Sequence, residues 1–115
     1  MIITEKFSQN WQIVRFQGKF VAKTLNEVRK TLSKIESEGK MKKVVFDLSS
    51  TNYLDSSALT VMLNLLKRLN QKEGGEFVVC GPNKEVMEIF SIVGFDKVVR
   101  IYPSVESVLN QNENC

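Results

Sequence analysis

Residues 53–63 read YLDSSALTVML. A carboxylate and two hydroxyls, Asp55-Ser56-Ser57, stand in a row where a polar stretch runs into an apolar one. Asp and Ser are favoured helix N-caps, because their oxygens accept from the first unpaired helix amides. One cap consumes one such side chain. A serine at the first or second helical position then keeps its hydroxyl free and pointing outward. A free hydroxyl at a helix start can carry a phosphate, which adds about −1.5 to −2 charge at neutral pH.

Other chemistry is poorly supplied. The 115 residues include no histidine, so neither a Ser-His-Asp nor a Cys-His arrangement can be assembled. The two cysteines, Cys80 in an apolar run and Cys115 at the end of the chain, suit neither a zinc site nor a disulfide. The expectation is two free thiols in a reducing cytoplasm. Asp47 ends an apolar run, as the phospho-accepting aspartate of receiver domains does, but no acidic pair follows Ile2–Thr4 or Ile13–Phe16 to hold Mg²⁺. No G-x-G-x-x-G or P-loop pattern occurs, so no cofactor or nucleotide cradle is expected. These absences point away from an enzyme, with no catalytic and no metal residues assigned.

The composition, 43% hydrophobic and 25% charged, is that of an ordinary water-soluble fold. No apolar run is long enough to span a membrane, and the start, MIITEKF, does not read as a secretory signal. The net charge of +3 is unevenly placed. Residues 1–46 hold ten Lys or Arg against four acids; residues 47–115 hold six against nine. Aromatic residues do not interleave with the basic ones, so direct nucleic-acid binding is not expected.

Periodicity supplies the elements that must position the hydroxyls. Residues 2–7 and 11–17 are rich in β-branched and aromatic residues around a polar Ser8-Gln9-Asn10 link, a hairpin closed by Gly18. Thr24 and Glu27 fit a capping box for a helix whose core stripe is Leu25, Val28, Leu32 and Ile35, ended by Gly39. Val44 to Leu48 forms a buried strand, and Ser49 to Asn52 a polar loop. The second helix follows, with Leu59, Met62, Leu63, Leu66 and Leu69 on one face and Gly74-Gly75 as its break. Phe77 to Cys80 is a strand. Asn83 caps a third helix, built on Val86, Ile89, Phe90 and Val93 and ended by Gly94. Val98 to Tyr102 is the last strand, and Ser104 caps a short final helix.

The order β-β-α-β-α-β-α-β-α gives an α/β fold with a mixed, mostly parallel sheet and an N-terminal β-hairpin. One domain covers residues 1–110, with a polar tail at 111–115. Ligands of such sheets bind beyond the carboxyl ends of strands, here the loops at 20–24, 49–57 and 81–84.

Three segments carry a family resemblance: DLSSTNYLDSSAL at 47–59, LKRLNQKEGGEFVVC at 66–80 and VMEIFSIVGFDKVVRIY at 86–102. Together they resemble the STAS-domain anti-sigma factor antagonists of bacteria, over essentially residues 1–110. The resemblance implies a STAS-like fold, cytoplasmic placement and a phospho-switch at Ser57. It implies a partner-binding surface around Asp55, Ser56 and Ser57, extended by Asn52, Ala58 and Thr60. In that family the unphosphorylated protein binds an anti-sigma factor that is itself a serine kinase, which frees a sigma factor. Phosphorylation breaks the complex and a PP2C-type phosphatase restores it. The chain departs from the pattern at Val21, where the family often has an acid after the second strand, and at Ala58, where Gly is common. The alternative is a STAS-type adaptor that docks in a larger assembly and is never phosphorylated.

Overall fold

The computed structural model describes residues 1–110 and holds the expected mixed sheet. The sequence-predicted tail at 111–115, with Cys115, lies outside the described residues. β1 (Ile2–Ser8) and β2 (Trp11–Phe20) pair antiparallel. Their link places Gln9 at φ 51° and Asn10 at φ 70°, the two positive values that a tight right-twisted hairpin requires. β3 (Lys43–Asp47), β5 (Glu76–Cys80) and β6 (Arg100–Tyr102) extend the sheet in parallel, in the order β1-β2-β3-β5-β6.

Alternation along the strands divides the core. One face presents Val14, Phe16, Val44, Phe46, Phe77 and Val79 to α1 (Leu25–Ser37), α2 (Ser56–Asn70) and α3 (Lys84–Val93). The other presents Trp11, Ile13, Val45, Val78 and Cys80 to α4 (Val105–Asn110). Phe16 stacks on Phe20 at 4.7 Å and meets Phe46 edge-on at 4.7 Å; Phe77 meets Phe46 at 4.9 Å. Each such pair contributes about 0.5–1.5 kcal/mol beyond its buried area.

Several local expectations give way to tertiary contacts. The expected polar loop holds a further strand, β4 (Thr51–Leu54). It pairs with the end of β2, off the main strand path. Its sequence, TNYL, has no run of β-formers. What secures it is nonlocal: the Thr51 hydroxyl donates to the Phe16 carbonyl at 2.9 Å, and Leu54 enters the core. Gly18 does not close β2 but turns it, at φ 111° and a register shift, so that Lys19 and Phe20 pair with Tyr53 and Leu54.

Thr24 does not form the expected capping box. Its hydroxyl accepts from the Val21 amide at 3.0 Å and donates to the Val21 carbonyl at 2.8 Å, closing a 3-10 turn over Ala22–Thr24. Of the α1 stripe, only Val28 and Ile35 are buried; Leu25 and Leu32 stay half-exposed. On α2 the buried residues are Ala58, Met62, Leu65 and Leu69, a face rotated from the expected one. Residues 95–97 coil into a second 3-10 turn, and Val98 lies exposed before β6. Asn83, Gly94 and Ser104 act as expected: Asn83 accepts from the Val86 amide at 2.8 Å, Gly94 takes φ 78°, and Ser104 accepts from the Ser107 amide at 3.2 Å. None of the described helices is long and apolar enough to cross a membrane.

Candidate functional site

The bent end of β2, β4 and the start of α2 converge on Asp55. Its backbone is extended (φ −117°, ψ −173°), as an N-cap requires. Asp55 Oδ1 accepts from the amides of Ser57 at 2.9 Å and Ala58 at 3.3 Å. Oδ2 accepts from the Ala22 amide at 3.1 Å, and the Asp55 amide donates to the Phe20 carbonyl at 3.3 Å. One carboxylate thus caps α2 and ties it to the turn that leads into α1. The loop after β5 joins the same end of the sheet, where Asn83 Nδ2 donates to the Thr51 carbonyl at 3.4 Å.

With Asp55 as the cap, both serines are released from structural duty. Ser56 is exposed and Ser57 half-exposed. Among the described residues, neither hydroxyl has a hydrogen-bond partner. The second-position hydroxyl is therefore left without a bond, on a half-exposed residue.

The other sequence-predicted contacts divide. Asn52 is exposed on β4. Thr60 is exposed, but its hydroxyl donates to the Ser56 carbonyl at 2.9 Å and is thereby held against its own helix. Ala58 is 0% exposed and packs into the core. It was expected at the docking surface, but its methyl fills space beneath the helix and no partner can touch it. Its small size lets the first turn of α2 sit close to the sheet.

Sequence reasoning did not single out Tyr53, which is 51% exposed beside Asn52. It also missed a groove of about 420 Å³ between α1 and α2, with Ser57 among its lining residues. In sequence the stripe Leu25, Val28, Leu32 and Ile35 reads as core throughout, because a 3.6-residue period does not distinguish core from groove.

Asp47 and Cys80 stand apart from this site. Asp47 Oδ1 accepts from the Ser49 amide at 3.0 Å and orders the turn after β3. Cys80 is free and buried. Burial, then the neighbouring Asp47 carboxylate, push its thiol up to about 12. Such a thiol is not a nucleophile at neutral pH.

The STAS domain family model matches residues 3–108, and the chain belongs to that family. An anti-sigma F factor antagonist of Paenibacillus polymyxa is 32% identical over 101 residues, covering 88% of this chain and 86% of the relative. The fold is that of the anti-sigma factor antagonist SpoIIAA in its unphosphorylated form, at TM-score 0.80 and 14% identity, covering 99% of this chain and 98% of that one. The Bacillus cell fate determinant SpoIIAA in its phosphorylated form matches at TM-score 0.72 and 14% identity, covering 96% and 98%.

Proposed function

We propose that this protein is a cytoplasmic anti-sigma factor antagonist switched at Ser57. Unphosphorylated, it binds an anti-sigma factor that is also a serine kinase, and so frees a sigma factor. The kinase phosphorylates Ser57 and the complex falls apart; a PP2C-type phosphatase resets the cycle. The protein is then substrate and ligand rather than enzyme. Its similarity to a Paenibacillus anti-sigma F factor antagonist supports the first half of this reading. One observation carries the second half: Asp55 supplies the whole cap of α2, which leaves the Ser57 hydroxyl unbonded at the helix's second position.

The energetics suit a switch that changes binding and spares the fold. A phosphate at a helix N-terminus gains from the dipole, typically 0.3–1 kcal/mol at an exposed site. At a partner interface the same group adds bulk and places like charge beside Asp55. A thousandfold loss of affinity needs only about 4 kcal/mol, which a poorly paired, desolvated phosphate can supply.

The test is to incubate the protein with its cognate anti-sigma kinase and ATP and map the phosphate. Phosphate on Ser57, with Ser57→Asp unable to bind the kinase, supports the switch. No phosphate there, with Ser57→Asp binding like the wild type, removes it.

Val21 favours a second reading, a STAS-type adaptor that is never phosphorylated. It stands directly before Ala22, whose amide bonds Asp55, and offers no carboxylate at a position where the family resemblance implies one. An adaptor binds its partner without regard to ATP and tolerates Ser57→Ala in cells.

A further inference from the structure

The groove between α1 and α2 is built from two facing stripes. α1 contributes Leu25, Arg29 and Leu32, spaced four and three residues apart; α2 contributes Ser57, Val61, Leu65 and Arg68, spaced four, four and three, with the uncharged polar Thr60 and Asn64 alongside. Such spacings keep each set on one side of its helix. The four aliphatics form an apolar floor. From Ser57 to Arg68 the α2 wall runs for about 16 Å, three helical turns at 1.5 Å per residue. The ionisable groups on the two walls are both cations. Arg68 is already bonded to the Glu36 carboxylate. Arg29 is exposed, and no described residue forms a hydrogen bond or ion pair with it.

We propose that this groove seats an acidic amphipathic helix of the partner protein, its leucine-type face on the aliphatic floor and its carboxylates toward Arg29. The inference deepens the reading of Ser57 as a switch and rests on it for the partner. Apolar floor and uncompensated cation together select that occupant: an apolar stripe takes the apolar face of a helix, and Arg29 selects carboxylate over ammonium. Ser57 closes one end of the same groove. A phosphate there brings about −1.5 to −2 charge to walls whose only cations are Arg29 and the already paired Arg68. The modified groove therefore repels what the unmodified groove attracts. Phosphorylation then controls binding along three turns of helix, not only at the serine.

The experiment uses the full ¹⁵N-labelled chain and two synthetic helical peptides of one leucine pattern, with polar positions filled by Glu in one and Lys in the other. The Glu peptide should shift amide resonances within residues 25–32 and 57–68 in a saturable way, and the Lys peptide should not. Arg29→Glu should weaken the Glu peptide about tenfold, which corresponds to 1.4 kcal/mol. Arg29→Lys should restore most of the affinity. Ser57→Asp should weaken it in the same direction. Equal binding of both peptides, shifts confined to other surfaces, or no effect of Arg29→Glu would overturn the proposal. Groove resonances that move on dilution without peptide would assign the groove to a second copy of the chain and also overturn it. Failure here is separable from failure of the switch. Ser57 phosphorylation without peptide capture removes the groove alone, and peptide capture by a chain never phosphorylated at Ser57 removes the switch alone.

Discussion

Asp55 bonds the Ala22 amide with one carboxylate oxygen and the Ser57 and Ala58 amides with the other. Ala22 and Asp55 lie 33 positions apart, so this one side chain locks the entry to α1 onto the start of α2. It holds Ser57 in place without touching its hydroxyl.

Replacing Asp55 should therefore cost more than an ordinary cap. Asp55→Ala removes three accepted amide bonds and should destabilise the fold by about 2 kcal/mol, the upper end for cap removal. Urea unfolding followed by the single tryptophan, Trp11, which is fully buried, should show a lower midpoint at unchanged slope. A change under 0.5 kcal/mol, roughly the range of neutral surface substitutions, would mean that the Ala22 tie carries no weight.

At Ser57, binding and folding should come apart. Ser57→Ala removes a hydroxyl with no bond to lose, so stability should stay within about 0.5 kcal/mol of wild type. Ser57→Asp should be as stable or slightly more so, since an acid suits the first turn, yet lose affinity for the anti-sigma kinase. Calorimetric titration beside thermal melts would show both. A Ser57→Ala protein that unfolds early would reveal a structural role for the hydroxyl.

Thr51 should matter through one oxygen. It is 1% exposed and its hydroxyl donates to the Phe16 carbonyl. Thr51→Val keeps the shape but removes the donor, at a cost of roughly 1–3 kcal/mol for a buried polar group left short of a partner. Denaturant midpoints measure the loss. Amide exchange should accelerate first in β4, the strand that this bond secures.

The Cys80 thiol should be inert and should make the fold sensitive to alkali. Its value is raised from 9.0 to about 12 in the folded chain by burial, with the Asp47 carboxylate adding to it. Below about 9 the thiol is protonated in both folded and unfolded chains, and its contribution to stability is fully present. Between about 9 and 12 the unfolded chain alone releases the proton, so stability falls by up to about 1.4 kcal/mol per pH unit. In a Cys115→Ser background, a thiol reagent at pH 8 should label the protein only on unfolding. Rapid labelling of the folded chain would show that Cys80 is not sealed.

Much of the fold was legible because its signals are local. Asn83, Gly94 and Ser104 act within three or four residues of themselves. The Asp55-Ser56-Ser57 run offers more polar groups than one cap uses, so a spare hydroxyl was legible; that Asp55 is the cap and both serines are spare came from the hydrogen bonds. The misses share a cause. Thr24 fits a capping box by pattern, but its hydroxyl is drawn back to Val21. Thr51–Leu54 lacks strand character until the bent end of β2 arrives beside it. Leu25 and Leu32 share their period with Val28 and Ile35, and only how α1 settles onto the core, with a groove left beside α2, decides which are covered.

By itself the amino-acid order determined the four helices, five of the six strands, the mixed sheet and a capped helix start with serine hydroxyls to spare, because caps, turns and periodicity are set by near neighbours. Tertiary structure alone decided that β2 turns at Gly18 to recruit β4, that Ala58 faces inward and that Arg29 overlooks a groove ending at Ser57. Those outcomes depend on how separate elements share the space between them, and chain distance carries no record of that.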